Sequence, residues 1–205
     1  MAYWHISDWM KYLFPNVVWD KPGSGKTLFL TFDDGPTPTV TEKVLEILDQ
    51  YKAKATFFCL GRNVERFQDI YQTIIARGHS VGNHSYSHLK GWRSGNLEYF
   101  EDIELASRYI HSGLFRPPYG KIRRSQIRYL KDKYKIILWE VMSHDYNNRV
   151  SEERSLRAVL RYTREGSILV FHDSLKAWNK LHYILPRVLK HFSALGFKFE
   201  AIQHD

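Results

Sequence analysis

Seven short runs of apolar, aromatic or β-branched residues alternate with longer segments of helical period, and this alternation constrains the chain more than any other feature. The runs are "TLFLTFD" (27–33), "KATFFCLG" (54–61), "HSVGNHS" (79–85), "GLFRPPY" (113–119), "IILWEVM" (136–142), "ILVFHD" (168–173) and "FKFEAI" (197–202). In "TVTEKVLEILDQYK", Val40, Val44, Leu45, Leu48 and Tyr51 fall on one helical face. In "RNVERFQDIYQTIIARG", a single predicted helix, Val64, Phe67, Ile70, Ile74 and Ile75 do so, with Gly78 as a C-terminal stop. Ser151 is positioned to cap "EERSLRAVLRYTREG", whose first turn carries Glu152 and Glu153. Seven strands alternating with six helices predict parallel pairing through right-handed crossovers. No linker or repeat divides the chain, so residues 1–205 read as a single domain, with an aromatic-rich segment, 1–25, packed on it. The dinucleotide-binding glycine pattern does not follow the first strand, which removes the main reason to choose an open doubly wound sheet. The expected fold is a distorted (β/α) barrel of seven to eight strands, related to the TIM barrel.

In such a barrel the C-terminal strand ends share one rim, where active sites are built. The unusual polar residues of this chain gather there. Asp33 and Asp34 close the first strand, His84 and His88 follow the third, and Arg116 and Tyr119 end the fourth. Asp145 follows the fifth, and His172 and Asp173 end the sixth. Adjacent acids behind a buried strand repel each other and lose hydration, so they need cations to hold them. The spacing in "HSYSH" aims both imidazoles at one ion from a helical turn or a tight loop. Two histidines and a carboxylate with an open position for water form a recurrent catalytic zinc shell. Asp34 beside such an ion and Asp33 beside Arg116 would each be favoured in the ionised form. A capping turn in "DDGPTPT" accounts for one acid of the pair but not for both.

With these residues in place, the chain resembles the polysaccharide deacetylases of the NodB-homology class, carbohydrate esterase family four. The resemblance spans roughly residues 27–175 and runs through the family's motifs in order, as "TFDDGP", "NHSYSH", "RPPYG" and "ILVFHD". The fourth motif, before the last of these, departs from the family: "MSHDY" places Met142 and Tyr146 where an acid and a tryptophan are usual, while Asp145 is kept. His144 reads as a surface residue. The resemblance implies a deformed (β/α) barrel and a hydrolase that removes N-acetyl groups from an N-acetylated amino-sugar polymer or oligosaccharide, of chitooligosaccharide or peptidoglycan type, and releases acetate. It assigns Asp34, His84 and His88 to one divalent ion, zinc as a rule, with cobalt, nickel or manganese as substitutes. It makes Asp33 the general base, held by Arg116, and His172 the general acid, oriented by Asp145. The Tyr119 backbone N–H is the oxyanion donor, and Trp139 and Val170 are walls of the acetyl pocket. Three other readings remain open at this stage: a zinc amidase of the same fold acting on a small N-acyl or cyclic amide, a non-heme iron oxygenase, and a non-catalytic sugar-binding module.

Composition adds limits. Thirty Lys and Arg against 22 Asp and Glu give a net charge of +8, compatible with an anionic glycan. The basic residues in "KIRRSQIRYLKDKYK" and "RSLRAVLRYTR" are scattered on the wet faces of predicted helices, so no nucleic-acid partner is expected. The lone Cys59 lies in "ATFFCLG" and reads as a buried small hydrophobe. The N-terminal segment "MAYWHISDWMKYLFPNVVWDK" holds no uninterrupted apolar stretch long enough for a membrane span or the apolar region of a signal peptide. The expected location is the cytoplasm for a full-length chain, or the cell envelope or exterior if an export signal has been trimmed.

Overall fold

The computed structural model describes residues 4–6, 8–23 and 25–203, without the side chains of residues 8 and 10. Positions 1–3, 7 and 24 of the predicted N-terminal segment therefore lie outside the described residues. Nine strands and eight α-helices follow one another among the described residues. The strands are β1 (Val17–Val18), β2 (Thr27–Asp33), β3 (Ala55–Cys59), β4 (Ser80–Asn83), β5 (Leu114–Phe115), β6 (Lys135–Ile137), β7 (Val141–Met142), β8 (Ile168–His172) and β9 (Lys198–Phe199). The helices are α1 (Asp8–Tyr12), α2 (Val40–Gln50), α3 (Gly61–Arg66), α4 (Gln68–Ala76), α5 (Asn96–Ser107), α6 (Arg124–Leu130), α7 (Glu152–Tyr162) and α8 (Leu175–Ala194).

The sheet order is β1-β6-β5-β4-β3-β2-β8-β7, with β9 added to β2, and the strand pairings are parallel. The predicted strand "IILWEVM" is in fact two strands. Its halves, β6 and β7, lie toward opposite ends of the sheet, joined only by residues 138–140. That connection forces the sheet to curl. Within it, the Leu138 N–H donates to the Val18 carbonyl at 2.8 Å and the Glu140 N–H to the Ile168 carbonyl at 3.0 Å. The result is a distorted half-barrel of parallel strands wrapped by helices, in agreement with the predicted class.

Period-two alternation sorts β2 and β8 into two faces. Leu28, Leu30 and Phe32 join Leu169, Phe171 and the apolar faces of α2 and α8 in one core. Phe32 stacks between Phe57 and Phe171, with ring centroids 5.0 and 5.7 Å away. Burying one such ring is worth roughly 1.5–3 kcal/mol. The opposite face of β2 carries Phe29, Thr31 and Asp33, and register sets them beside Ile168, Val170 and His172 of β8. The barrel interior therefore begins apolar, with Phe29 and Ile168 in a second cluster, and ends polar at the C-terminal rim.

Two helical expectations need correction. The stretch predicted as one helix breaks into α3 and α4 at Phe67, whose φ of −132° and ψ of 53° are non-helical. The break rotates the buried face, so Tyr71 is buried with Ile74, whereas Ile75 is 42% exposed. Gly78, at φ +76°, follows α4 as a left-handed stop. Ser151 caps α7 by accepting the Arg154 N–H at 3.2 Å. Cys59 is fully buried. Along the N-terminal segment, Val17 pairs with Ile136 and the Ile6 N–H donates to the Glu140 carbonyl. The buried Glu140 carboxylate accepts from Lys11 at 2.8 Å, Arg164 at 3.0 Å and Ser167 at 2.6 Å, contacts that offset its lost hydration. No helix among the described residues is long and apolar enough to cross a membrane.

Candidate active site

Asp33 is the last residue of β2 and faces the barrel interior, where Arg116 Nη1 donates to its Oδ1 at 2.7 Å. Arg116 is fully buried, yet its guanidinium is well satisfied. It also donates to Thr31 Oγ1 and to the Ile137 and Leu138 carbonyls at 2.7, 3.2 and 2.8 Å. The guanidinium lies 4.1 Å above the Phe58 ring. Burial lowers the Arg116 pKa and Asp33 opposes that shift.

In an extended strand the next side chain would turn away from the interior. Asp34 instead adopts a left-handed φ of +81°, a conformation Asp tolerates better than most residues, and this directs its carboxylate back to the rim. Two side chains from distant elements pin the turn. Asn63 of α3 donates to the Asp34 carbonyl at 2.7 Å, and Asp173 accepts the Gly35 N–H at 3.1 Å. Gly35 is required at this point, because a Cβ there would lie 2.0 Å from Asp173 Oδ2.

His84 and His88 flank a tight loop after β4, one of the two geometries the spacing allows. The loop is held from within by Ser85, which accepts the His88 N–H at 3.0 Å, and by Asn83, which accepts the Ser85 N–H at 2.8 Å. Asp102 of α5 holds it from outside, accepting the Tyr86 N–H at 3.0 Å and the Ser87 hydroxyl at 2.7 Å. His84 Nδ1 lies 2.7 Å from the Arg116 carbonyl. A carbonyl only accepts, so Nδ1 carries the proton and Nε2 keeps its lone pair. Burial lowers the His84 pKa to about 4 against the pull of Asp33, so the ring is neutral, as a metal ligand must be.

Ligand atoms of Asp34, His84 and His88 lie within 4.8 Å of one another. Asp34 Oδ1 is 3.3 Å from His88 Nε2 and 3.8 Å from His84 Nε2. Burial opposes ionisation of Asp34, but the His88 hydrogen bond and the neighbouring His172 and His84 outweigh it and hold the carboxyl well below its usual range. Two imidazole nitrogens and one ionised carboxylate fit a borderline divalent cation such as zinc.

His172, the last residue of β8, is the register partner of Asp33. Asp145 grips it twice, accepting the backbone N–H and the ring Nδ1–H, each at 2.8 Å. Burial alone would lower the His172 pKa, but Asp145, with help from Asp34 and Asp33, raises it to about 9. The imidazole is therefore protonated at neutral pH. A cavity of about 430 Å³ opens between the loop bearing His84 and His88 and the end of β8. Its lining includes Asp33, Asp34, His84, His88, His172 and Tyr119. Trp139 forms a wall, and its packing needs a glycine at position 120, where a Cβ would sit 2.7 Å from the indole. Tyr119 has a left-handed φ of +61° and its ring packs on His88 at 4.5 Å.

Nine of the ten predicted site residues thus converge. Asp33, Asp34, His84, His88, Tyr119, Trp139 and His172 line the cavity, while Arg116 and Asp145 sit directly behind it. Val170 does not join them: it is 1% exposed, one inward position below His172, and lies outside the lining. His144, read as a surface residue, is buried at 6% exposure and packs edge-on against Trp4 at 4.6 Å. Sequence reasoning missed Asn63, Asp102 and Asp173 as supports of the site. Asp173 left a trace at a strand end, whereas Asn63 and Asp102 sit on helices in locally unremarkable sequence.

A parallel half-barrel with an Arg-held carboxylate, an Asp-held histidine and an Asp-His-His cluster on its C-terminal rim places a proton acceptor, a proton donor and a candidate metal-ligand set around one cavity, the groups that hydrolysis requires. The chain belongs to the polysaccharide deacetylase family, whose model matches residues 20–134. It is 31% identical over 194 residues to a peptidoglycan-N-acetylglucosamine deacetylase of Bacillus cereus, covering 91% of each chain. It is 32% identical over 156 residues to a chitooligosaccharide deacetylase of Bradyrhizobium, covering 72% of this chain and 71% of the relative. The crystal structure of a peptidoglycan N-acetylglucosamine deacetylase bound to 4-naphthalen-1-yl-N-oxidanyl-benzamide superposes with a TM-score of 0.80 at 29% identity, covering 94% of both chains.

Proposed function

We propose that the protein is a metal-dependent N-deacetylase that hydrolyses the acetamide of an N-acetylated amino-sugar polymer or oligosaccharide, of chitooligosaccharide or peptidoglycan type, to acetate and a free amine. The observation that carries this reading is the convergence of two functional groups on one cavity. Asp33 and His172 enter it from register-paired positions, next to the Asp34-His84-His88 cluster. A divalent cation held by that cluster, most simply zinc, would supply Lewis-acid chemistry, lowering the pKa of a water toward about 7 and polarising a carbonyl oxygen.

The chain's own groups account for the proton transfers. Asp33 takes a proton from the attacking water, and Arg116 fixes the carboxylate in place for this task. His172 delivers a proton to the sugar nitrogen as the C–N bond breaks, because an amide nitrogen is too basic to leave as an anion. Asp145 keeps that imidazole oriented and charged until the transfer. The Tyr119 backbone N–H is the donor assigned to the tetrahedral oxyanion, a contact worth about 3 kcal/mol in comparable sites. Trp139 walls the acetyl methyl group.

The test is acetate release from chitooligosaccharides and from peptidoglycan fragments, measured with and without a chelator. Release from either substrate, lost on chelation and restored by zinc, is the expected result. Acetate release unaffected by complete metal removal, or none from any N-acetylated glycan, would overturn the proposal.

A further inference from the structure

The acetamide cavity does not end at Trp139, Met142 and Tyr146. These three side chains also line a second, larger cavity of about 830 Å³, within the size range of ligand sites. Its lining includes Met142 and Tyr146, the two residues of "MSHDY" that depart from the family pattern. A run of ring contacts leads into it from His172, through Tyr146 at 4.8 Å and His144 at 5.9 Å to Trp4 at 4.6 Å. His144 takes a left-handed φ of +54°, so the "MSHDY" loop turns where its ring meets the N-terminal segment.

The far rim carries Arg149 and Arg154. Both are exposed, and neither guanidinium forms an ion pair with any described residue. No carboxylate lines this cavity. The nearest acids on α7, Glu152 and Glu153, flank it in sequence without lining it. An apolar, aromatic floor ending in two unpaired planar cations matches a ring-shaped ligand that ends in a carboxylate, because guanidinium groups take carboxylates in paired hydrogen bonds. A neutral ligand would leave both cations in water with nothing gained from them.

We infer that this second cavity is a subsite for a carboxylate-bearing sugar unit next to the reacting acetamide, with Arg149 and Arg154 as the residues that select the acid. The inference rests on the reading of the adjoining cavity as a deacetylase site. It deepens that reading by favouring acidic glycans over neutral ones.

Equilibrium binding tests it, with zinc-loaded Asp33→Asn protein to prevent turnover. The probes are a tetrasaccharide of alternating N-acetylglucosamine and N-acetylmuramic acid and the methyl ester of the same tetrasaccharide. The acid should bind roughly three- to tenfold tighter than the ester, the scale expected of two solvent-exposed ion pairs. Adding Arg149→Ala and Arg154→Ala should abolish that preference. Equal binding of the two probes, a preference that survives the arginine substitutions, or no measurable binding of the acid would each overturn the inference. If wild-type protein released no acetate from either probe while the arginine-dependent preference held, the deacetylase reading would fall and the carboxylate subsite would stand.

Discussion

Asp33 and His172 are register partners on adjacent parallel strands, so a carboxylate and an imidazolium enter one cavity from neighbouring inward positions. Strand pairing fixes their separation, and neither depends on a mobile loop for its place. Replacing Asp33 with Asn should therefore leave the Asp34-His84-His88 cluster intact. Acetate release should fall by about 10² to 10⁴, the usual span for a proton-transfer group, with metal content unchanged. Asp34→Asn should lower both. Elemental analysis alongside an acetate assay separates the two outcomes, and near-wild-type release by Asp33→Asn would remove it as the base.

Arg116 is the only cation in contact with the Asp33 carboxylate among the described residues, and it is fully buried. Arg116→Met should cost about 3–5 kcal/mol of stability, because an unpaired charge and three emptied hydrogen-bond acceptors stay behind in the interior. Urea denaturation checks this. A variant as stable as the wild type would mean that Asp33 finds other compensation.

The pH dependence of turnover follows from Asp145. A general acid must be protonated, and His172 keeps its proton until pH approaches its raised pKa of about 9. The alkaline limb of kcat/KM should accordingly lie above pH 7. With Asp145→Asn, burial acts on the imidazole with less opposition, and the limb should move down by at least about one pH unit. An unshifted limb would assign it to another group.

Asp173 gives a stability test with the opposite sign from most carboxylates. Burial, reinforced by Asp34 against the Thr41 hydrogen bond, raises its pKa to about 8. Between about pH 4 and pH 8 the folded chain holds a proton there that the unfolded chain has released. Stability contributed by this group is complete below the unfolded pKa and declines as pH rises through that window. Asp173→Asn, which keeps an acceptor for the Gly35 N–H, lacks this decline. The variant should gain on the wild type by at least about 1 kcal/mol between pH 4.5 and pH 7.5. Parallel stability curves for the two proteins would show that Asp173 is ionised in the fold.

The strand-helix alternation was enough to read the parallel barrel, because buried strands of this kind declare themselves as apolar runs bounded by turns. The same signal hid the division of "IILWEVM", since Leu138 and Trp139 are as apolar as the strands they separate. Site residues at strand ends were legible for a related reason: a charged group behind an apolar run is conspicuous. Asn63 and Asp102 were not, because a polar residue on a helix looks the same whether it faces water or a loop from another part of the chain. His144 was misread since its burial depends on Trp4, 140 positions earlier, and no local pattern encodes that contact.

The three-residue link between β6 and β7 works as a buckle on a belt. It sets the girth of the half-barrel, and Trp139 is mounted on it. Lengthening the link by even one residue would slacken the circumference and swing the indole off the mouth of the cavity. Chemistry at one rim is thus tied to the length of a segment that performs none of it.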